Sequence, residues 1–317
     1  MPMNRRQFLT TTLAGAAGAA AGAALTGQLL AAPDAPAPTN PLDPFQLVPL
    51  GRTGIKVSLI GIGTGMKGGM RQSNQTRLGP EKFEALLHYA FDKGIRFFDC
   101  ADLYGSHRYL AAAFRDKPRD QYVIGSKIWV RPKGIPEAER PDADVCVDRF
   151  RKELNTDYID LVLLHCMVDP QWCDQQKRQM DILENLKAKG VIRAHGVSCH
   201  SLAALKAAAE SPWVDSVHAR INPFGDSMDI TDPEKKISDP QIVAGVLKQI
   251  HDAGKGVIGM KLVGEGRYRN DPAKRDQAIR FVLGLKSVDM MIVGFEKGEE
   301  IDDFAARTQT ALVNRKA

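Results

Sequence analysis

The sequence predicts a single-domain α/β fold, a (β/α)8 TIM barrel, on three observations. From residue 45 onward, short β-branched runs alternate with amphipathic stretches of helix length, the pattern of a parallel sheet with right-handed crossovers. The alternation recurs eight times in about 270 residues, the count and size of a closed barrel. Helix starts carry capping residues and helix ends carry glycine, so the boundaries agree with the periodicity.

Each element follows in order. Residues 45–56, apolar at Phe45, Leu47, Val48 and Ile55 around Gly51 and Gly54, read as an N-terminal hairpin closing the barrel bottom. Strand 57–63 holds Val57, Leu59, Ile60 and Ile62; a glycine-rich loop then leads to helix 80–93, opened by Pro80 and followed by Gly94. Strand 95–99 ends in Phe97-Phe98-Asp99 before helix 106–115, and strand 122–127 ends in Lys127 before helix 142–154. Strand 158–165 is an apolar run into His165, before helix 174–189 and Gly190. Strand 191–198 precedes helix 201–210, capped by Ser201. Strand 214–222 precedes helix 239–252, with Asp239-Pro240 at its start and Gly254 past its end. Strand 257–262 precedes helix 272–285, with Asp271-Pro272 at its start, and strand 288–294 precedes helix 299–313.

Ahead of the barrel stands a different kind of segment. Arg5-Arg6-Gln7-Phe8-Leu9 opens a run without charge from Gln7 to Pro33, rich in Ala, Gly, Thr and Leu, ending in small residues near Ala32. A positive start, a weakly apolar stretch and small residues at a cleavage point describe an export signal. The adjacent arginines resemble the twin-arginine (Tat) signal of bacteria. The expected organisation is a Tat signal peptide at 1–32, a Pro/Ala-rich linker at 33–44 and the barrel at 45–317, with a periplasmic or other extracytoplasmic location and the Tat machinery as partner. Ala and Gly give little transfer free energy, which argues against a spanning helix, although an uncleaved signal would act as a tether.

Composition narrows the function. With 44% apolar and 26% charged residues the chain matches an average soluble protein, not a disordered, collagenous or polytopic membrane one. The net charge is +5, from 43 Lys and Arg against 38 Asp and Glu spread along the chain, which is no footprint for nucleic acid. Five cysteines are too few, and odd in number, for a disulfide scaffold. Gly63-Thr64-Gly65-Met66-Lys67-Gly68 has the GxGxxG form, but about ten further loop residues separate it from a helix, whereas a Rossmann fingerprint opens the helix itself.

Barrel chemistry sits where strands end. Those ends carry Asp99, Lys127 and His165, with Tyr104 in the loop beyond Asp99. Singly, each has a structural explanation as a cap, a snorkelling cation, a core imidazole or a packing ring. Together, charged groups after apolar runs must be paired or used. An ammonium about 4 Å from a phenol favours the phenolate by about 4 kcal/mol at an effective dielectric of about 20, bringing an ordinary tyrosine, near pKa 10, toward neutral pH. Asp99 would hold Lys127 charged, and His165 would polarise a carbonyl. The set lacks a nucleophile and a group of metal ligands, and suggests an acid placed over a carbonyl.

At these residues the chain resembles the aldo-keto reductase family, over essentially all of residues 45–313. The matching motifs are Leu50-Gly51-Arg52-Thr53-Gly54, Phe98-Asp99-x-Ala101-Asp102-x-Tyr104-Gly105, Ser126-Lys127 and Asp160-Leu161-x-Leu163-Leu164-His165. The resemblance implies an NAD(P)-dependent oxidoreductase acting on a small carbonyl or alcohol, with Asp99, Tyr104, Lys127 and His165 as catalytic tetrad and Tyr104 as general acid and base. Its implied cofactor contacts are Ser198, His218, Met260, Lys261, Leu262, Gly264, Gly294, Glu300 and Asp303. Cys199 stands where the family usually has Asn. Glu300 stands where an arginine is common, which tilts the expectation from NADP toward NAD. Two competing functions are a cofactor-binding redox-sensing or scaffold subunit with little turnover, and a metal-binding barrel using Cys100, Cys166, Cys173, Cys199 and His200. The simpler reading of these cysteines is small apolar thiols pointing toward the helices.

Overall fold

A computed structural model describes residues 42–315 of the chain. The expected signal peptide, and with it the expectation of export, lies outside the described residues. Two short strands, β1 (Leu47–Pro49) and β2 (Lys56–Ser58), form an antiparallel hairpin with Leu47 opposite Ser58. The barrel then runs β3 (Ile60–Gly63), α1 (Pro80–Lys93), β4 (Phe97–Asp99), α2 (His107–Ala113), β5 (Val123–Trp129), α3 (Ala143–Leu154) and β6 (Ile159–Met167). It continues α4 (Trp172–Gln175), α5 (Lys177–Ala188), β7 (Ile192–Cys199), α6 (Leu202–Glu210), β8 (Ser216–Arg220), α7 (Pro240–Asp252), β9 (Gly256–Met260), α8 (Pro272–Leu285), β10 (Met290–Val293) and α9 (Gly298–Asn314). Strands β3 to β10 pair in sequence order, all parallel, and β10 closes on β3.

The closed sheet separates two apolar layers. Inside it, Phe97, Val123, Leu161, Leu163, Ala194, Ile258, Met290 and Ile292 pack with Leu50, Ile55 and Val57 of the hairpin. Each such aliphatic side chain contributes about 1.5–3 kcal/mol on burial, so the hairpin is a plug for the barrel floor. Gly51, at φ +49, makes the approach possible: a Cβ there would lie 2.4 Å from the backbone nitrogen of Gly256. The outer layer, between strands and helices, includes Phe83, Leu87, Phe98, Phe150 and Leu247.

The expected caps are made: Ser201, Asp239 and Asp271 accept from the backbone N–H groups of Ala204, Gln241 and Lys274. Two elements differ from the sequence reading. The first strand, expected at 57–63, is divided, with Val57 and Ser58 in the hairpin and β3 starting at Ile60. Buried Ser58 turns that corner, donating its hydroxyl to the Ile60 carbonyl and accepting from the Arg96 N–H at 2.8 Å. The helix expected at 174–189 is two helices, because the buried Trp172 indole donates to the Ala204 carbonyl at 3.2 Å and ties α4 to α6.

Candidate active site

The wall of the barrel mouth brings Asp99, Tyr104, Lys127 and His165 into one buried cluster. Asp99 closes β4, Lys127 and His165 face inward from β5 and β6, and Tyr104 sits in a single helical turn, Asp102–Tyr104, just after β4. Lys127, 1% exposed, ion-pairs with Asp99 and also donates to the Cys100 carbonyl at 3.0 Å. Its Nζ lies 4.9 Å from the centre of the Tyr104 ring. The Tyr104 hydroxyl is 3.3 Å from His165 Nε2, and His165 Nδ1 is buried without a partner.

One expectation is corrected here. The Tyr104 phenol is not drawn down toward neutral pH; burial, reinforced by the Asp99 charge, raises it well above its ordinary value. Asp99 lies against Lys127 and cancels much of the field that was to stabilise the phenolate. The group is therefore an acid holding its proton. Burial first, then Lys127, pushes His165 well below the usual imidazole range, so it is neutral at pH 7. His218 behaves likewise for the same two reasons.

The residues expected to hold a dinucleotide fall into three groups. Met260, Lys261, Leu262 and Gly294 line a cleft beside Asp99 and Tyr104. That cleft shares Met66, Val263, Val293 and Gly294 with a second cavity of about 530 Å³, whose far end carries Glu300 and Asp303. Ser198 and His218 are register partners on β7 and β8, and the hydroxyl of one and both ring nitrogens of the other are buried without hydrogen bonds. His218 Nδ1 stands 3.7 Å from Asp99, which lines the first cleft; polar atoms left without hydrogen bonds there suit the carboxamide of a nicotinamide cofactor, so the residues present fit the group. Gly264 stands apart, tucked against the Tyr268 ring. Glu300 is not an isolated negative charge: it accepts from the Glu296 N–H at 2.8 Å and faces Arg269 at 3.7 Å, while Arg275 pairs with Asp303 at 3.2 Å. The cleft end is thus of mixed charge, with Arg269 and Arg275 beside Glu300 and Asp303.

Other residues of the site were not singled out from the sequence. Gly65 and Gly68 of the GxGxxG stretch lie on Tyr104; a Cβ on Gly65 would come 2.2 Å from the ring. The Trp129 ring stands edge-on to His165 at 5.2 Å. Trp129 is two residues beyond Lys127 on one strand, so the period of two could have found it. Cys100 and Cys199 belong to the outer apolar layer, as expected, and burial pushes the Cys100 thiol up to about 12. Cys166 departs from that expectation. An irregularity in the β6–β7 pairing between Leu164 and Met167 leaves it at φ +67, with its Sγ accepting from Arg131 Nη1 at 3.0 Å. Among the described residues, no group of three or more His, Cys, Asp and Glu side chains is arranged to hold a metal ion.

Comparison with known proteins agrees with this architecture. The model of the Aldo/keto reductase family matches residues 59–281. A probable aldo-keto reductase 1 of Glycine max is 32% identical over 129 residues, 38% of this chain and 36% of that protein. Aldo-keto reductase family 1 member A1 of Rattus norvegicus is 28% identical over 169 residues, 46% of this chain and 47% of that protein. The match thus spans less than half the length of either relative. The solved structure of an aldo-keto reductase from Pseudomonas aeruginosa shares the fold, with TM-score 0.65, 24% identity, and coverage of 84% of this chain and 96% of that one. A barrel closed by a hairpin, a tetrad at adjacent strand ends and a family model spanning most of the barrel lead to one assignment: the chain belongs to the aldo/keto reductase family.

Proposed function

We propose that the protein is an NAD(P)-dependent oxidoreductase interconverting a small carbonyl compound and its alcohol, with Tyr104 giving the proton in reduction and taking it in oxidation. The observation that carries the reading is the Tyr104 hydroxyl, 3.3 Å from His165 Nε2, in a buried cluster whose cation is Lys127. A bound nicotinamide dinucleotide supplies or accepts the hydride. The chain does the rest. Ser198 and His218 offer buried polar atoms to the carboxamide. His165, neutral, donates from Nε2 to the substrate oxygen in the tautomer protonated there, which keeps that oxygen within reach of the Tyr104 proton. Once the proton has left, Lys127 at about 5 Å from the ring favours the phenolate by about 3 kcal/mol at an effective dielectric of about 20, less the part that Asp99 cancels. Asp99 keeps Lys127 charged and in place inside the barrel.

Tyr104→Phe tests the reading. It should remove at least two orders of magnitude from turnover, within the about 100- to 10,000-fold typical of general acid catalysis, while cofactor affinity by fluorescence titration stays nearly constant. Turnover close to wild type across several aldehydes would sink the assignment. We place the enzyme outside the cytoplasm, on the Arg5-Arg6 pair and the uncharged run that follows it.

A further inference from the structure

Beside the tetrad lies a cation that the chemistry so far leaves unused. Arg131 follows β5 by two residues. The loop that carries it is held in place: the Trp129 indole donates to the Lys133 carbonyl at 2.5 Å, and Gly134, at φ +82, lies so close that a Cβ would meet the indole at 2.8 Å. Arg140 donates to the Arg131 carbonyl at 3.0 Å. The guanidinium itself is half-buried, and its hydrogen-bond partner is the Cys166 thiol, directly after His165. Among the described residues, no carboxylate pairs with it. The neighbouring cations of the mouth differ in this respect: Lys127 has Asp99, Arg220 has Asp229 and Lys261 has Glu265. The field of Arg131 also reaches His200, at the end of β7. A thiol is a weak acceptor, so a half-buried guanidinium that has only a thiol retains most of its capacity for an anion.

We propose that Arg131 recognises a carboxylate on the substrate, and that the carbonyl compounds turned over at Tyr104 are aldehydes or ketones bearing an acid group. Three features make Arg131 a specificity residue. The guanidinium offers a planar fork that matches a carboxylate. Its thiol partner, Cys166, directly follows His165, whose imidazole faces the Tyr104 hydroxyl. The Trp129 ring, edge-on to His165 at 5.2 Å and two residues before Arg131 in the chain, offers an apolar wall for the carbon chain joining carbonyl to acid. Sequence alone could not supply this, because Cys166 comes to face Arg131 through the irregular β6–β7 pairing.

The inference rests on the carbonyl–alcohol reading, and two measurements keep their failures apart. Para-carboxybenzaldehyde and para-nitrobenzaldehyde have nearly the same shape and differ in charge. Calorimetric binding of each to wild type, Arg131→Gln and Arg131→Lys reads recognition without turnover; rates with reduced cofactor read chemistry. The wild type should bind the carboxylated aldehyde about tenfold more tightly than the nitro compound, or better. That ratio should collapse toward one in Arg131→Gln and recover in part in Arg131→Lys, with both variants unfolding cooperatively near the wild-type temperature. The ratio of kcat/KM values should follow. A wild-type ratio near one, or the same ratio in Arg131→Gln, overturns the inference. Charge-selective binding without turnover of either aldehyde keeps Arg131 as an anion site and overturns the reductase reading alone.

Discussion

The proposed reaction asks the Tyr104 phenol to keep its proton at neutral pH until a substrate oxygen arrives, and burial holds the proton there. Its raised pKa has a signed consequence. Reduction needs the protonated form, so its rate should stay level through neutral pH and fall only above the ordinary phenol value of about 10. Oxidation needs the deprotonated form, so it should rise with pH over the same range. Steady-state profiles in both directions check this; an alkaline fall of reduction centred near neutrality would reject Tyr104 as the acid. Asp99, Lys127 and His165 were legible in the sequence because each ends an apolar run, where an unpaired charge would be costly. The electrostatics of Tyr104 were not legible. They depend on Asp99 standing against Lys127, a distance between strands that no spacing along the chain encodes.

Among the elements, the loop after β3 does most to shape the site. Its GxGxxG stretch mimics a phosphate-binding turn, yet α1 starts only at Pro80, and the glycines serve instead to let backbone lie against the Tyr104 ring. Gly65→Ala places a methyl group inside that contact. The ring must shift, and misplacement of a reacting group by about 1 Å can cost about 100-fold. The variant should therefore lose about ten- to 100-fold in kcat with a nearly unchanged unfolding midpoint, measured by steady-state kinetics and thermal denaturation. Full activity would show that the loop moves freely over Tyr104. The hairpin and the divided first strand illustrate the limit of periodicity. Val57 to Gly63 reads as one apolar run, and only the hydrogen bonds of Ser58 break it.

For the whole molecule, the proposed export address lies in sequence ahead of the residues that form the barrel. Arg5 and Arg6 precede the described residues, and their replacement by lysines changes the proposed recognition pair without changing the net charge. That variant should accumulate as full-length precursor in the cytoplasm of a bacterial host, seen by fractionation and immunoblotting. Normal processing and export would point to the general secretory route or to an anchor.

What the sequence determined by itself was the architecture and the choice of Asp99, Tyr104, Lys127 and His165 as side chains that meet at the barrel mouth. Eight repeats of strand and helix admit few ways of burying their apolar faces, and strand ends are defined by the chain. What only the tertiary structure decided was the company each group keeps. Glu300 meets Arg269, Cys166 meets Arg131, and His218 meets Asp99. Such contacts join loops far apart in sequence, and they are set by the closure of the barrel and one irregularity in its pairing, because local preference has no term for the residue opposite.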